Sequence, residues 1–171
     1  MTAKPGPRLG YPGLALTLIG SVALLISFTW VNWYAGTSGA DGISDIGFND
    51  LHQNLAAFSA PAASTSYFGW IAWTLLIIVL LLGVGANLPN RAADSLRIAG
   101  LAVGLIGSAW TYYALAQYIQ ALHDRGATNA GVFTRSESGI WLAMVGYLFA
   151  GIGAALGPLP IRSVLTPRSH A

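Results

Sequence analysis

The sequence predicts an all-α membrane protein: a four-transmembrane-helix bundle made of two duplicated parallel hairpins, with a short amphipathic helix in the first outer loop. Three observations predict it. The 171 residues are 54% hydrophobic and only 8% charged, with a mean hydropathy of +0.60, where a soluble domain carries about 25% charged residues. Four windows are long and apolar enough to cross a bilayer, which takes about 20 residues of helix. The first two windows are echoed by the last two.

The spans cover about 14–31, 68–86, 98–118 and 139–157 of a single integral membrane domain, 1–171. Each must be helical, because lipid offers no partner to an unpaired backbone group. The inner connection is 87–97, and the outer connections are 32–67 and 119–138. Lys4, Arg8, Arg91, Arg97, Arg162 and Arg168 fall on one side, which is six of the eight basic residues. Asp41, Asp45, Asp50, Asp124 and Glu137 fall on the other, with Arg125 and Arg135. The positive-inside rule then gives a multi-pass protein of the plasma (inner) membrane with both termini cytoplasmic. The first span is read as retained rather than as a cleaved signal. It is long for a signal peptide and ends in Trp30, Val31, Asn32, Trp33 and Tyr34, which suit an interface anchor.

Duplication is read from ordered matches. Gly13-Leu14-Ala15-Leu16-Thr17-Leu18-Ile19-Gly20-Ser21 and Gly100-Leu101-Ala102-Val103-Gly104-Leu105-Ile106-Gly107-Ser108 agree at seven of nine positions. Trp70-Ile71-Ala72 matches Trp141-Leu142-Ala143, and 83–89 resembles 151–158. Equivalent hairpins of the same orientation are related by an axis along the membrane normal. Their helices pack through small residues: Gly100 with Gly104 and Ser108, Gly153 with Gly157, and Gly146, Ala150 and Ala154. Pro89 and Pro158 stop helices.

The six tryptophans, Trp30, Trp33, Trp70, Trp73, Trp110 and Trp141, all fall at outer helix ends. Aromatic belts normally occupy both interfaces. A one-sided ring therefore suits headgroup anchoring, or a patch for a neighbouring subunit or a lipid or quinone-like tail. In the first outer loop, Ile43, Ile46, Leu51, Leu55 and Phe58 recur at near-helical spacing with polar residues between them. The spacing predicts an amphipathic helix over 45–58 lying on the outer membrane face or on a partner. Pro61 and 62–66 read as a flexible return.

Much chemistry is excluded. There are no cysteines, so no disulfide, thiol nucleophile or Cys-ligated metal. The spans hold no ionisable side chain for a proton relay or haem ligation. Outside them, Asp41, Asp45, Asp50, His52, His123, Asp124 and Glu137 lack compact metal-ligand spacing. No cofactor, metal or catalytic residue is expected, and a net charge of +2 gives no reason for nucleic acid.

With Gly139-Ile140-Trp141-Leu142-Ala143 followed by Gly151 and Gly153, the chain resembles the small Gly/Ala/Trp-rich four-span membrane proteins of actinobacteria, many of unknown function. The resemblance supplies no functional residue. Claudin-like tetraspans share the topology but carry an outer-loop cysteine pair that is missing here.

The reading favoured is a non-catalytic accessory or scaffold subunit of a larger envelope or respiratory membrane complex. It would dock through Trp30, Trp33, Trp70, Trp73, Trp110 and Trp141 and through Ile46, Leu51, Leu55 and Phe58, with membrane lipid as the other partner. The first alternative is a component that binds or transports a lipid, quinone-like or other hydrophobic molecule. The second is an enzyme using Asp45, Asp50, His52, His123, Asp124 or Glu137.

Overall fold

The computed structural model describes residues 9–35, 45–57, 61–89, 91–124 and 137–157. Helix α1 (Tyr11–Thr29) leads into strand β1 (Asn32–Tyr34), strand β2 (Ile46–Gly47) and helix α2 (Phe48–Ala57). A short helix α3 (Ala62–Ser66) then runs through a π-helical turn, Tyr67–Ile71, into α4 (Ala72–Asn87). Helices α5 (Ala93–His123) and α6 (Ser138–Leu156) complete the described chain. Four helical stretches, Tyr11–Thr29, Ala62–Asn87, Ala93–Ala121 and Ser138–Leu156, are long and apolar enough to cross a membrane. The chain is a multi-pass membrane helix bundle.

Helix α6 is the centre of the packing, touching α1, α5 and α4. Apolar surface alone drives little helix association in lipid, so close backbone approach has to supply it. Two adjacent stripes of α6 do this. On the side of Gly146, Ala150 and Gly153, a Cβ on Gly20 of α1 would lie 2.5 Å from the Ala150 nitrogen and the Gly146 oxygen. A Cβ on Gly153 would lie 2.5 Å from the Thr17 nitrogen. On the side of Tyr147, Gly151 and Ala154, a Cβ on Gly104 of α5 would lie 2.8 Å from the Gly151 Cα. No real side chain fits such gaps, so α1 and α5 both meet α6 backbone to backbone.

Hydroxyls behave as expected for helices in lipid. Ser21, Thr29, Thr74 and Thr111 donate to carbonyls one turn back, of Thr17, Leu25, Trp70 and Gly107. Ser27 instead crosses to the Gly139 carbonyl of α6 at 2.6 Å.

Three stretches carry structure beyond the expected spans. Helix α5 starts at Ala93, inside the expected inner connection, and its 31 residues span about 46 Å at 1.5 Å per residue, well beyond a slab of about 30 Å. Asp94 sits in its first turn, where a carboxylate favours the helix dipole, and pairs with Arg97 at 3.0 Å. The stretch expected as a flexible return is helical. The Ser64 and Thr65 amides donate to the Pro61 carbonyl, and the run continues without a break into α4. The first outer loop also contributes an antiparallel β-pair, Asn32 opposite Gly47 and Tyr34 opposite Ile46. Phe58 lies outside the described residues.

Gly146→Val should lower bundle stability by about 1–3 kcal/mol, at the upper end because the displaced neighbours are backbone. Ala102→Val, on an exposed face of α5, should change it by less than about 0.5 kcal/mol. Reversible unfolding of the purified chain in mixed micelles measures both.

Candidate functional site

One end of the bundle is closed by its own connections, and this capped end holds most of the residues expected to function. Trp33 organises it. After α1 ends, β1 turns the Trp33 ring inward, where it is fully buried. Its Nε1 donates to the Ser27 carbonyl at 2.8 Å, one of the last-turn carbonyls that a helix leaves unpaired. Its own carbonyl accepts the Glu137 amide at 3.0 Å, just before α6 begins. Gly139 is small because a Cβ there would lie 2.5 Å from Trp33 Cδ1.

Aromatic rings fill the space around it. Phe28 stacks on Phe48 at 4.6 Å between centroids and meets Trp73 edge-on at 5.2 Å. Trp33 meets Phe48 at 5.2 Å and Phe68 at 5.6 Å, both edge-on. Tyr34 meets Tyr118 at 5.6 Å. Such pairs contribute about 0.5–1.5 kcal/mol each beyond their area.

Helix α2 lies across this cluster. Phe48, Leu51 and Leu55 are buried while Asn49, Asp50 and Gln53 face outward. The apolar side of α2 therefore packs on the chain's own bundle. Trp33, Ile46, Leu51 and Leu55, expected as contacts for lipid or a partner, are core residues instead. The π-helical turn explains part of the fit. Its wider spacing lets Tyr67, Phe68 and Ala72 all turn inward. His52 packs on Gly69 and donates from Nδ1 to the Thr65 carbonyl at 3.1 Å.

The other tryptophans divide. Trp73 and Trp110 are partly buried against the core. Trp30, Trp70 and Trp141 project outward, with exposures of 83%, 62% and 44%. On the flank, Ala63, Ile106, Ala109, Trp110 and Tyr113 line an apolar groove of about 340 Å³.

Among the described residues, no three of His, Asp and Glu are grouped to hold a metal ion. Asp50 accepts the Gly47 amide at 3.1 Å, closing the first turn of α2 as a side-chain cap does. Glu137 precedes α6, and Asp124 follows α5 with its amide bonded to the Gln120 carbonyl. Asp41 lies outside the described residues.

Sequence reasoning missed two buried polar nodes. Asn87, at the end of α4, is buried, and its Nδ2 donates to the Gly83 carbonyl at 2.8 Å and the Gly153 carbonyl at 3.0 Å. Its backbone oxygen accepts the Gly10 amide at 3.1 Å. Its Oδ1 fills the space that side chains at Gly10 and Gly13 would take. One asparagine thus ties α4 to α6 through its carboxamide and to the start of α1 through its backbone carbonyl. The second node lies under the cap. Tyr67 bonds to Thr111, and Tyr147 donates to the Ala72 carbonyl at 2.9 Å. Gly107 leaves room for the Tyr147 ring. The only sequence signal was a lone amide or phenol within an apolar run.

Trp33→Ala should cost about 3–5 kcal/mol, whereas Trp30→Ala should stay within about 0.5 kcal/mol. The two unfolding midpoints, measured side by side, check the division into packed and projecting indoles. No family model, no curated protein and no solved structure matches the chain.

Proposed function

We propose that the chain is a non-catalytic integral membrane subunit that docks on a larger envelope or respiratory membrane assembly. The capped end faces away from the cytoplasm, and both termini lie in it. The observation that carries this reading is the outward projection of Trp30, Trp70 and Trp141 from the end where Phe28, Trp33, Phe48 and Phe68 are buried. Tryptophan is enriched where one protein meets another. The docking surface is this indole rim with the outward side of α2. The buried set Trp33, Ile46, Leu51 and Leu55 holds the rim in place.

We further read the bundle as two duplicated hairpins. Under the alignments of 13–21 with 100–108 and of 83–89 with 151–158, Thr17 corresponds to Gly104 and Gly83 to Gly151. In support, Gly83 meets Thr17 and Gly151 meets Gly104, so equivalent positions make equivalent contacts within each hairpin.

The second reading, a component that binds a lipid, quinone-like or other hydrophobic molecule, is favoured by the apolar groove beside Trp110. A tagged chain extracted in mild detergent separates the two. Docking predicts stoichiometric recovery within a large complex, and loss of that recovery in the Trp70→Ala/Trp141→Ala double variant with membrane insertion unchanged. Recovery as a lone chain, with its tryptophan emission quenched by a stoichiometric brominated lipid, selects the binding reading and rejects docking.

A further inference from the structure

A polar cavity of about 260 Å³ opens at the capped end, beside the last turn of α1. It is lined by side chains and backbone that include Thr29, Trp30, Asn32, Gly47, Asn49 and Asp50. Among the lining residues Asp50 alone is charged. Asp50 supplies a carboxylate, of which one oxygen accepts the Gly47 amide at 3.1 Å, and Asn32 and Asn49 supply carboxamides. The end of α1 adds the carbonyls and partial negative charge of a helix C-terminus, while the first turn of α2 brings the amides and partial positive charge of an N-terminus, which the Asp50 carboxylate caps. No lysine or arginine is among the lining residues. The Trp30 indole stands at the mouth, 83% exposed.

This combination selects a cation of organic size. A bare divalent ion needs several oxygen ligands drawn close around it, and one carboxylate in a cavity of this volume does not provide them. A quaternary ammonium prefers a cage of several open aromatic faces; Phe28 and Phe48 also line the cavity but are buried and stacked on each other, which leaves the Trp30 indole as its one exposed ring. A primary ammonium fits better: its three N–H donors match the carboxylate and amide oxygens, and its adjoining methylenes can rest on the indole. Depth identifies the source. Trp30 ends a helix long and apolar enough to cross the membrane, and an indole there marks the headgroup layer.

We propose that this cavity binds the primary ammonium of a phosphatidylethanolamine-type lipid headgroup, with Asp50 as the counter-charge and Trp30 as the wall. The cavity shares Trp30 and the outward side of α2 with the proposed docking surface, and it is open on the chain without a partner.

The test is native mass spectrometry of the full-length chain in a neutral detergent, titrated with phosphatidylethanolamine, phosphatidylcholine or phosphatidylglycerol. The expected result is about tenfold tighter binding of phosphatidylethanolamine than of either other lipid, as one charge-assisted hydrogen bond warrants. Asp50→Asn should remove that preference, while its side-chain oxygen still accepts the Gly47 amide and holds the start of α2. Trp30→Ala, at an exposed position, should weaken phosphatidylethanolamine by about threefold. Equal binding of the three lipids by the unaltered chain overturns the proposal, as does an unchanged preference in folded Asp50→Asn. If free ethanolamine competes as well as the lipid, the ligand is a soluble amine and the lipid assignment fails.

Discussion

The backbone contact of α6 with two neighbours at once is the constraint on which the rest depends. In water, apolar faces would hold four helices together; in lipid they cannot, because the solvent is equally apolar. Gly20 against Gly146 and Gly104 against Gly151 replace that drive with short-range dispersion and close backbone dipoles. These gain only when two helices approach nearer than side chains allow. Having α1 on one stripe of α6 and α5 on the next leaves a gap toward α4. Tyr147 fills it, reaching the Ala72 carbonyl. The large inward residues of the bundle thus occupy the spaces that the glycine contacts leave.

The two ends of the bundle solve the same problem differently. At one end a single carboxamide, Asn87, binds two carbonyls on two helices. A hydrogen bond in lipid contributes about 1 kcal/mol, but it also specifies how far the helices can slide, since Oδ1 sits where side chains at Gly10 or Gly13 would stand. At the other end the chain builds a small aromatic core from β1, α2, the π-helical turn and the ends of α1 and α6. That core holds β1, β2 and α2 against the helix ends. Three indoles and one polar cavity at fixed positions are what recognition requires; the same groups on a mobile loop would lose more entropy on binding.

The contrast between Trp30 and Trp33 shows how much of the site was legible. Both end the first span and both belong to an interface-type aromatic run, so composition treats them alike. One is the most exposed tryptophan and the other is fully buried. Three residues of chain and a β-pairing with Gly47 separate their fates. The same holds for α2. Its apolar spacing was readable, but an apolar face has the same pattern whether it lies on lipid, on a partner or on its own bundle. Asn87 was passed over because a polar residue just before Leu88-Pro89 reads as the start of a connection, whereas the packing of α6 and α1 around it keeps it inside.

The four membrane-crossing helices and the small-residue stripes were readable from residue order, because slab thickness, backbone saturation and the geometry of close approach act locally along a chain. Which aromatic faces inward, where α2 rests and which polar atoms share a cavity were decided by tertiary structure. Those outcomes depend on residues far apart in sequence, such as Ser27 with Gly139 and Trp33 with Glu137. No local pattern encodes such a meeting, because its energy exists only once both segments are in place.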